Sequence, residues 1–359
     1  MIYEFFLLFA PLSFLLIYTL LPKRTRRLSS VPIIWTIILM LVMVGAIAEF
    51  PPELNHDKPR YASMFYQISR NFTSYEYRDY GWIVYNEIVS FVVSTPRGFF
   101  GITALIYVFS YYIFSRRMFS KDGIAFFVVM SMGCLGFSNY GTNVIRSGVA
   151  IGILLFCVSS NFKLFIKILL AVVAVSVHKS MLIPIAGWIA SKYINKTQMV
   201  FIIWCMFLFL SVSNVDLSFF FESIGFIDER VDTYVDSMEE FEGSYQQGFR
   251  FDFLVYSCAP MAIYYYFSER KNIVDKFYAR VFKTYLLVNA VWLLVIRMAY
   301  TDRMAYLSWF MIPFITLYPL IKYPHKFNHP QTLIYLVMYM FMGVRVMLSI
   351  KGFLQQVVD

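Results

Sequence analysis

The chain alternates between long apolar stretches and short polar gaps. Most of the stretches approach the length of about 20 apolar residues that crosses a bilayer as a helix. The apolar stretches lie near residues 2–21, 31–50, 98–115, 123–140, 144–160, 162–177, 180–194, 198–214, 251–268, 282–299, 304–321 and 331–350. This pattern predicts an all-α polytopic integral membrane protein with about 10 to 12 transmembrane helices. It predicts a single multispanning membrane domain over residues 1–359.

Positive charge is concentrated in every second gap. The gaps after the first, third, fifth, seventh, ninth and eleventh stretches hold more than half of the 31 Lys and Arg residues, beginning with Lys23, Arg24, Arg26 and Arg27. Because short basic loops stay in the cytoplasm, these gaps are predicted to be cytoplasmic and both termini to face outward. Residues 162–194 must then form a hairpin of two spans with His178 near its outer tip.

Two of the predicted outward gaps are long. Residues 51–97 are Tyr-rich and include a segment near 81–94 that is apolar enough to lie at the membrane interface or to re-enter the bilayer. Residues 214–251 are acidic, and long insertions between spans are often functional. This second loop is predicted to be either a lid or a solvated connector.

Composition excludes several classes of protein. Hydrophobic residues make up 59% of the chain and charged residues 15%, well below the charged fraction of about 25% in soluble domains. The net charge of +9 lies in short loops, where it meets anionic lipid headgroups, so membrane lipids are predicted partners and nucleic acid is not. The four cysteines lie inside apolar stretches, and no DxD, HExxH, Walker or GxGxxG motif is present. No metal or cofactor is therefore expected.

Ionisable residues at membrane depth are costly, so they usually face an internal cavity and mark function. They occur here in four clusters on the predicted outward side: Asp57, Arg60 and Tyr61; Asn143, Arg146 and Ser147; His178 and Lys179; and Arg297, Asp302 and Arg303. Interfacial ion pairs, a snorkelling Lys179 and a hydrogen-bonded core histidine are the structural alternatives. Arg345 is expected to snorkel.

Arg146 is the strongest of these candidates. Asn143 is predicted to cap the helix that opens there, which leaves Arg146 in its first turn. An arginine at that point opposes the positive end of the helix dipole, unless an anion binds both the guanidinium and the helix N–H groups. Several arginines and a histidine on one face with few carboxylates indicate a pocket for a phosphate-bearing ligand. Tyrosine and tryptophan side chains could stack on sugar rings.

These motifs resemble, in order and spacing, the EpsG-like branch of the Wzy polymerases. The resemblance rests on Asp57, Arg60-Tyr61 and Tyr66, on Tyr75-Glu76 and Gly81, on Asn143-Val144-Ile145-Arg146-Ser147, on His178-Lys179-Ser180 and on Asp302-Arg303. Ser147 stands where that family usually has Gln. The resemblance implies a multi-pass, metal-independent glycosyltransferase of the bacterial cytoplasmic (inner) membrane with an outward active site. Such an enzyme joins oligosaccharide repeat units linked to undecaprenyl diphosphate into O-antigen, capsule or exopolysaccharide, and the resemblance allows for a chain-length regulator as a partner.

The implied reaction assigns roles to the clustered residues. Asp57, His178 and Asp302 are the candidate catalytic bases, with Asp57 favoured. Arg60, Tyr61, Asn143, Arg146, Ser147, Lys179, Arg297 and Arg303 are the candidates for binding diphosphate and sugar. The alternatives are a flippase of the same lipid-linked sugar, another membrane transferase such as an O-antigen ligase or an acyltransferase, and a scaffold of an export complex.

Overall fold

The protein is all-helical, as predicted. The computed structural model describes residues 2–20, 31–51, 57–70, 79–213, 248–298 and 301–358, and no strand occurs within these ranges. The α-helices are α1 (Ile2–Leu20), α2 (Val31–Ala48), α3 (Asp57–Ser69), α4 (Tyr80–Ser90), α5 (Pro96–Met118), α6 (Lys121–Gly133), α7 (Phe137–Thr142), α8 (Ile145–Ser159), α9 (Leu164–Val177), α10 (Leu182–Tyr193), α11 (Thr197–Val212), α12 (Phe251–Tyr265), α13 (Lys276–Leu293), α14 (Thr301–Trp309), α15 (Ile312–Lys322) and α16 (Pro330–Val358).

Several helices have the length and composition of membrane spans. Among the described residues, three stretches are long and apolar enough to cross a membrane: Pro96–Met118, Thr301–Lys322 and Pro330–Ile350. Shorter apolar helices cover Phe6–Leu20, Ile33–Ala48, Gly123–Gly133, Ile145–Ser159, Leu164–Val177 and Thr197–Val212. The prediction of transmembrane helices is confirmed. The number of crossings and the outward orientation of both termini stay predictions.

The predicted stretch 123–140 is not one helix. It divides into α6 and the short α7 at residues 134–136, where Gly136 has a φ of +88°. An L-residue rarely adopts this left-handed conformation, so a glycine is required at the break. The predicted stretch 304–321 also divides, into α14 and α15. Apolar composition alone does not reveal such breaks, because both halves remain apolar.

The predicted outward loops are described in part. The segment predicted near 81–94 forms α4, and α3 precedes it within the same gap. Residues 23–27, Tyr75, Glu76 and most of the acidic loop (residues 214–247) lie outside the described residues.

The chain divides into two compact units, the first formed by residues 1–181 with 316–359 and the second by residues 182–315. In the first unit α5 packs against α2 and α8, and α8 packs against α9. In the second unit α13 packs against α10 and α11. The prediction of a single membrane domain stays a prediction.

A buried polar network lies inside the second unit. The Asn289 side chain accepts a hydrogen bond from Trp204 Nε1 at 2.8 Å and donates to Ser257 Oγ and Ser308 Oγ at 3.2 and 3.0 Å. Both ends of the amide are therefore bonded, as a buried amide requires. The network connects α11, α12, α13 and α14 and is part of the core of this unit.

Arg345 of α16 is buried in the first unit, so the expectation that it snorkels is wrong. Its Nη1 donates to the Met132 carbonyl at 2.6 Å, and its Nη2 donates to the Leu7 carbonyl and to Ser138 Oγ, both at 2.9 Å. Met132 lies in the last turn of α6, where carbonyls lack a partner within the helix. Arg345 therefore holds the break between α6 and α7 closed.

Candidate functional site

The candidate site forms where the start of α4 meets the end of α9. Gly81, the second residue of α4, allows this approach. A Cβ at this position would lie 2.6 Å from the Ser176 carbonyl carbon and 2.7 Å from the Val177 nitrogen. Only a residue without a side chain fits there. The contact places Asp79, just before α4, beside His178, just after α9.

Asp79 occupies the N-cap position of α4 but does not cap it. Its side chain makes no hydrogen bond to the first turn of α4. Instead, Asp79 Oδ2 accepts a hydrogen bond from Arg146 Nη1 at 2.6 Å, and each of the two side chains is 9% exposed. A buried charge is tolerated only with a partner of opposite charge, and each residue is such a partner for the other.

His178 approaches the same carboxylate oxygen. Its Nδ1 lies 3.8 Å from Asp79 Oδ2, and its side chain is 23% exposed. The backbone at His178 is extended and is followed by a 3₁₀ turn, Lys179–Met181, in which Lys179 is exposed. The prediction that His178 separates two helices is confirmed. His178 and Lys179 form the open side of an otherwise enclosed charge cluster.

Arg146 is the second residue of α8 and so lies in the first turn of its helix, as predicted, but the helix begins at a different residue from the one expected. The N-cap residue is Val144, which makes no side-chain cap, and Asn143 instead ends α7. The prediction that Asn143 caps this helix is therefore wrong, because only two residues separate α7 from α8 and the backbone N–H of Asn143 is bonded to the Asn139 carbonyl at 2.8 Å. Ser147 is buried in the first turn of α8.

Asp79 is held in its ionised form. Burial would raise the pKa of its carboxyl group. The nearby His178 and the positive charges of Arg146 and Lys179 outweigh burial and lower the pKa of the Asp79 carboxyl group below its ordinary value. At neutral pH the cluster is therefore a carboxylate surrounded by Arg146, His178 and Lys179.

The residues predicted around Asp57 lie on α3, with different roles. Asp57 begins the helix and Arg60 is exposed. Tyr61 is buried, and its ring meets Trp82 of α4 edge-on with centroids 5.9 Å apart. Trp82 also stacks on Tyr85 at 5.0 Å. This aromatic cluster supports α4 from within the core, so Tyr61 is not an open platform for a sugar ring.

Lys58 joins α3 to the end of α2. Its Nζ donates to the carbonyls of Ile47, Ala48 and Phe50 at 3.2, 2.8 and 2.5 Å. A cation is favoured at a helix C-terminus, where the carbonyls lack partners within the helix. This contact fixes α3 and, through Tyr61, the helix that begins at the candidate site.

Arg297, Asp302 and Arg303 belong to the second unit. Arg297 Nε donates to the Ser211 carbonyl at 3.4 Å, and its guanidinium lies over the Phe249 ring at 5.2 Å. Asp302 and Arg303 lie in the first turn of α14. Of the predicted site residues, the first unit thus brings Arg146, His178 and Lys179 together around Asp79.

Asp79 was missed by the sequence reasoning. An acidic residue directly before a helix is ordinarily taken as a cap. The available signal was Gly81 two positions later, because a glycine allows another segment to approach the backbone closely. Within the described ranges no group of three or more His, Cys, Asp or Glu side chains could hold a metal ion.

The helices define an α-helical membrane protein, and the first unit contains a buried charge cluster around Asp79. The chain belongs to the EpsG family, whose model matches residues 33–357. Membership places it among membrane polysaccharide polymerases of the glycosyltransferase type. No curated protein and no solved structure matches the chain significantly.

Proposed function

We propose that this protein joins oligosaccharide repeat units carried on undecaprenyl diphosphate into O-antigen, capsule or exopolysaccharide. The growing chain is transferred from its lipid diphosphate to a hydroxyl of the incoming repeat unit, at the outer face of the bacterial cytoplasmic membrane. Family membership supports the polymerase class. The observation that carries the choice of substrate is Arg146, buried at the start of α8 with Lys179 and His178 beside the same carboxylate.

A diphosphate leaving group needs positive charge when its bond to the sugar breaks. Arg146 presents a guanidinium whose fork matches phosphate oxygens, and it lies in the first turn of α8, where a helix favours an anion. Lys179 adds a charge on the exposed side. Fixed cations of this kind stabilise the developing charge without reorganisation, which is the role that a metal ion has in other phosphate-releasing enzymes.

The test is chain extension by the purified full-length protein in lipid vesicles. The substrate is a repeat unit linked to undecaprenyl diphosphate with a fluorescent label, and the product is resolved by glycan length. Arg146→Lys should reduce the rate about 10- to 100-fold, because a hydrogen bond to a charged group contributes about 1.5–3 kcal/mol and lysine cannot form the fork. Arg117→Lys is the matched control, since Arg117 is exposed at the end of α5.

Each outcome separates a candidate class. Lengthened glycan from the wild type supports the polymerase, and equal rates in both lysine variants would remove Arg146 from the site. Movement of labelled lipid between leaflets without lengthening would indicate a flippase. Transfer of glycan to a different acceptor lipid would indicate a ligase. Addition of a chain-length regulator should change the product distribution and leave the first extension step unchanged.

A further inference from the structure

The carboxylate of Asp79 contacts Arg146 at 2.6 Å and lies 3.8 Å from His178. We propose that Asp79 is the proton acceptor of the transfer reaction and that binding of a diphosphate to Arg146 releases it. This inference rests on the proposed function and deepens it, because it names a different residue from Asp57 and gives the site an order of events.

The geometry of the Arg146–Asp79 pair favours replacement of Asp79 by a diphosphate. Arg146 contacts Asp79 through one nitrogen and one oxygen, at 2.6 Å. By comparison, Arg250 and Asp252 form a two-point fork, with Nε–Oδ1 at 2.9 Å and Nη2–Oδ2 at 2.6 Å. A two-point contact fixes a carboxylate more firmly than a one-point contact. A diphosphate offers more charge and more oxygens than Asp79 does, so it can take the position of Asp79 at Arg146.

The position of Asp79 is also not what helix stability alone would select. A carboxylate before a helix normally bonds the N–H groups of the first turn, and this cap typically contributes about 1 kcal/mol. The Asp79 side chain does not form that hydrogen bond. Its oxygen lies between Arg146 and His178 instead, next to the open side formed by His178 and Lys179.

Release changes the chemistry of the carboxylate. The charged groups that act on it are Arg146 from α8 and His178 and Lys179 from the end of α9. While Arg146 is bound, Asp79 is a weak base, because the positive partner favours the ionised form. Once the diphosphate neutralises Arg146, one of the charges that oppose the effect of burial is lost, and the carboxylate accepts a proton more readily. The base is therefore strengthened only when the donor is in place.

The transfer step balances as follows. The oxygen of the acceptor hydroxyl forms a bond to the anomeric carbon of the donor sugar. The bond between that carbon and the diphosphate oxygen breaks, and its electron pair leaves on the diphosphate, next to Arg146 and Lys179. The hydroxyl proton passes to Asp79. His178, which is partly exposed beside Asp79, then returns this proton to water.

The variant Asp79→Asn tests the proposal, because asparagine has the same shape and lacks the charge. Glu87→Gln is the matched control, since Glu87 is exposed on the same helix. Two quantities are measured on purified full-length protein in lipid nanodiscs: the affinity for inorganic pyrophosphate by calorimetry, and the rate of one chain extension. Asp79→Asn should bind pyrophosphate more tightly than the wild type, because it no longer competes for Arg146. Its extension rate should fall about 100- to 10,000-fold.

A residue that only positions Arg146 gives a different result. Its loss would weaken pyrophosphate binding and slow extension together, and that outcome would overturn the proposal. A wild-type extension rate in Asp79→Asn would also overturn it. Loss of extension in His178→Ala with full extension in Asp79→Asn would transfer the role to His178.

The pH dependence of the wild type provides a test that needs no variant. The fall of kcat/KM at acidic pH reports the pKa of the base in the free enzyme, and the fall of kcat reports its pKa in the substrate complex. The acid limb of kcat should lie at higher pH, because Asp79 has lost Arg146 in the complex. Acid limbs of kcat and kcat/KM at the same pH would refute the replacement of Asp79 by diphosphate at Arg146. If the wild type extends no glycan at all, the proposed function fails, and the pyrophosphate affinities of the wild type and Asp79→Asn still decide whether an anion competes with Asp79.

Discussion

Replacing Gly81 by alanine tests whether the close approach of α4 to α9 builds the site. The added Cβ would lie 2.6 Å from the Ser176 carbonyl carbon. Carbon atoms that are not bonded keep a separation of about 3.5 Å, so the start of α4 must retreat by about 0.9 Å. A retreat of this size along the Asp79–Arg146 direction would lengthen their 2.6 Å contact to about 3.5 Å, the limit for a hydrogen bond.

Two effects follow, and they are measured separately. Overpacking should lower the free energy of unfolding by about 1–3 kcal/mol, which thermal unfolding in detergent detects. Displacement of catalytic groups by about 1 Å should lower the chain-extension rate about 100-fold. Gly101→Ala is the control, because nothing lies within 4 Å of a Cβ at that position in α5. It should be neutral or slightly stabilising and fully active.

A double variant shows which atoms matter. Ser176→Gly removes the hydroxymethyl group that lies nearest the new Cβ and leaves the backbone of α9 in place. Gly81→Ala combined with Ser176→Gly should therefore remain impaired. Wild-type extension and wild-type stability in Gly81→Ala would refute the reasoning, since the helices could then separate without disturbing Asp79.

Two further predictions concern the cations that hold helix ends. Lys58→Met removes the donor that bonds three carbonyls at and just after the end of α2, so it should lower the free energy of unfolding by about 1.5–3 kcal/mol. Lys163→Met, at an exposed position, should leave the free energy of unfolding unchanged. Equal melting temperatures for the two variants would contradict this prediction. Arg345→Lys leaves one donor nitrogen in place of the two through which the guanidinium bonds its three acceptors, so it should lower the melting temperature far more than Arg116→Lys at the exposed end of α5. Unaltered unfolding of the Arg345 variant would mean that the break after α6 needs no external donor.

Most helices could be located from the sequence because a membrane-spanning helix requires a long apolar run. The breaks inside such runs could not. The carbonyl of Met132 at the end of α6 is bonded by Arg345, which follows it by 213 positions. The local sequence around Met132 therefore does not predict this donor. The same distance explains the wrong expectation for Arg345, since a lone arginine in an apolar run is ordinarily taken to snorkel.

Of the four residues in the charge cluster, three could be predicted from the sequence and Asp79 could not. Arg146, His178 and Lys179 interrupt or end apolar runs, where a charge is conspicuous. Asp79 lies in a polar gap, where a carboxylate is ordinary, and its significance arises only from an ion pair with a residue 67 positions later. Tyr61 was predicted to contact a sugar because aromatic side chains stack on sugar rings as well as pack in protein cores. Only the packing of its ring against Trp82 shows that it belongs to the core.

The contacts of Arg345 also constrain the order in which the protein can be completed. The first unit consists of two chain segments, and the whole second unit is synthesised between them. Translation at about 5–20 residues per second separates Met132 from Arg345 by about 10 to 40 seconds. During that interval the carbonyl at the end of α6 lacks its arginine inside an apolar environment. The newly made chain is therefore most vulnerable to misassembly and proteolysis before α16 is made, and substitutions of Arg345 should lower the yield of folded protein as well as its melting temperature.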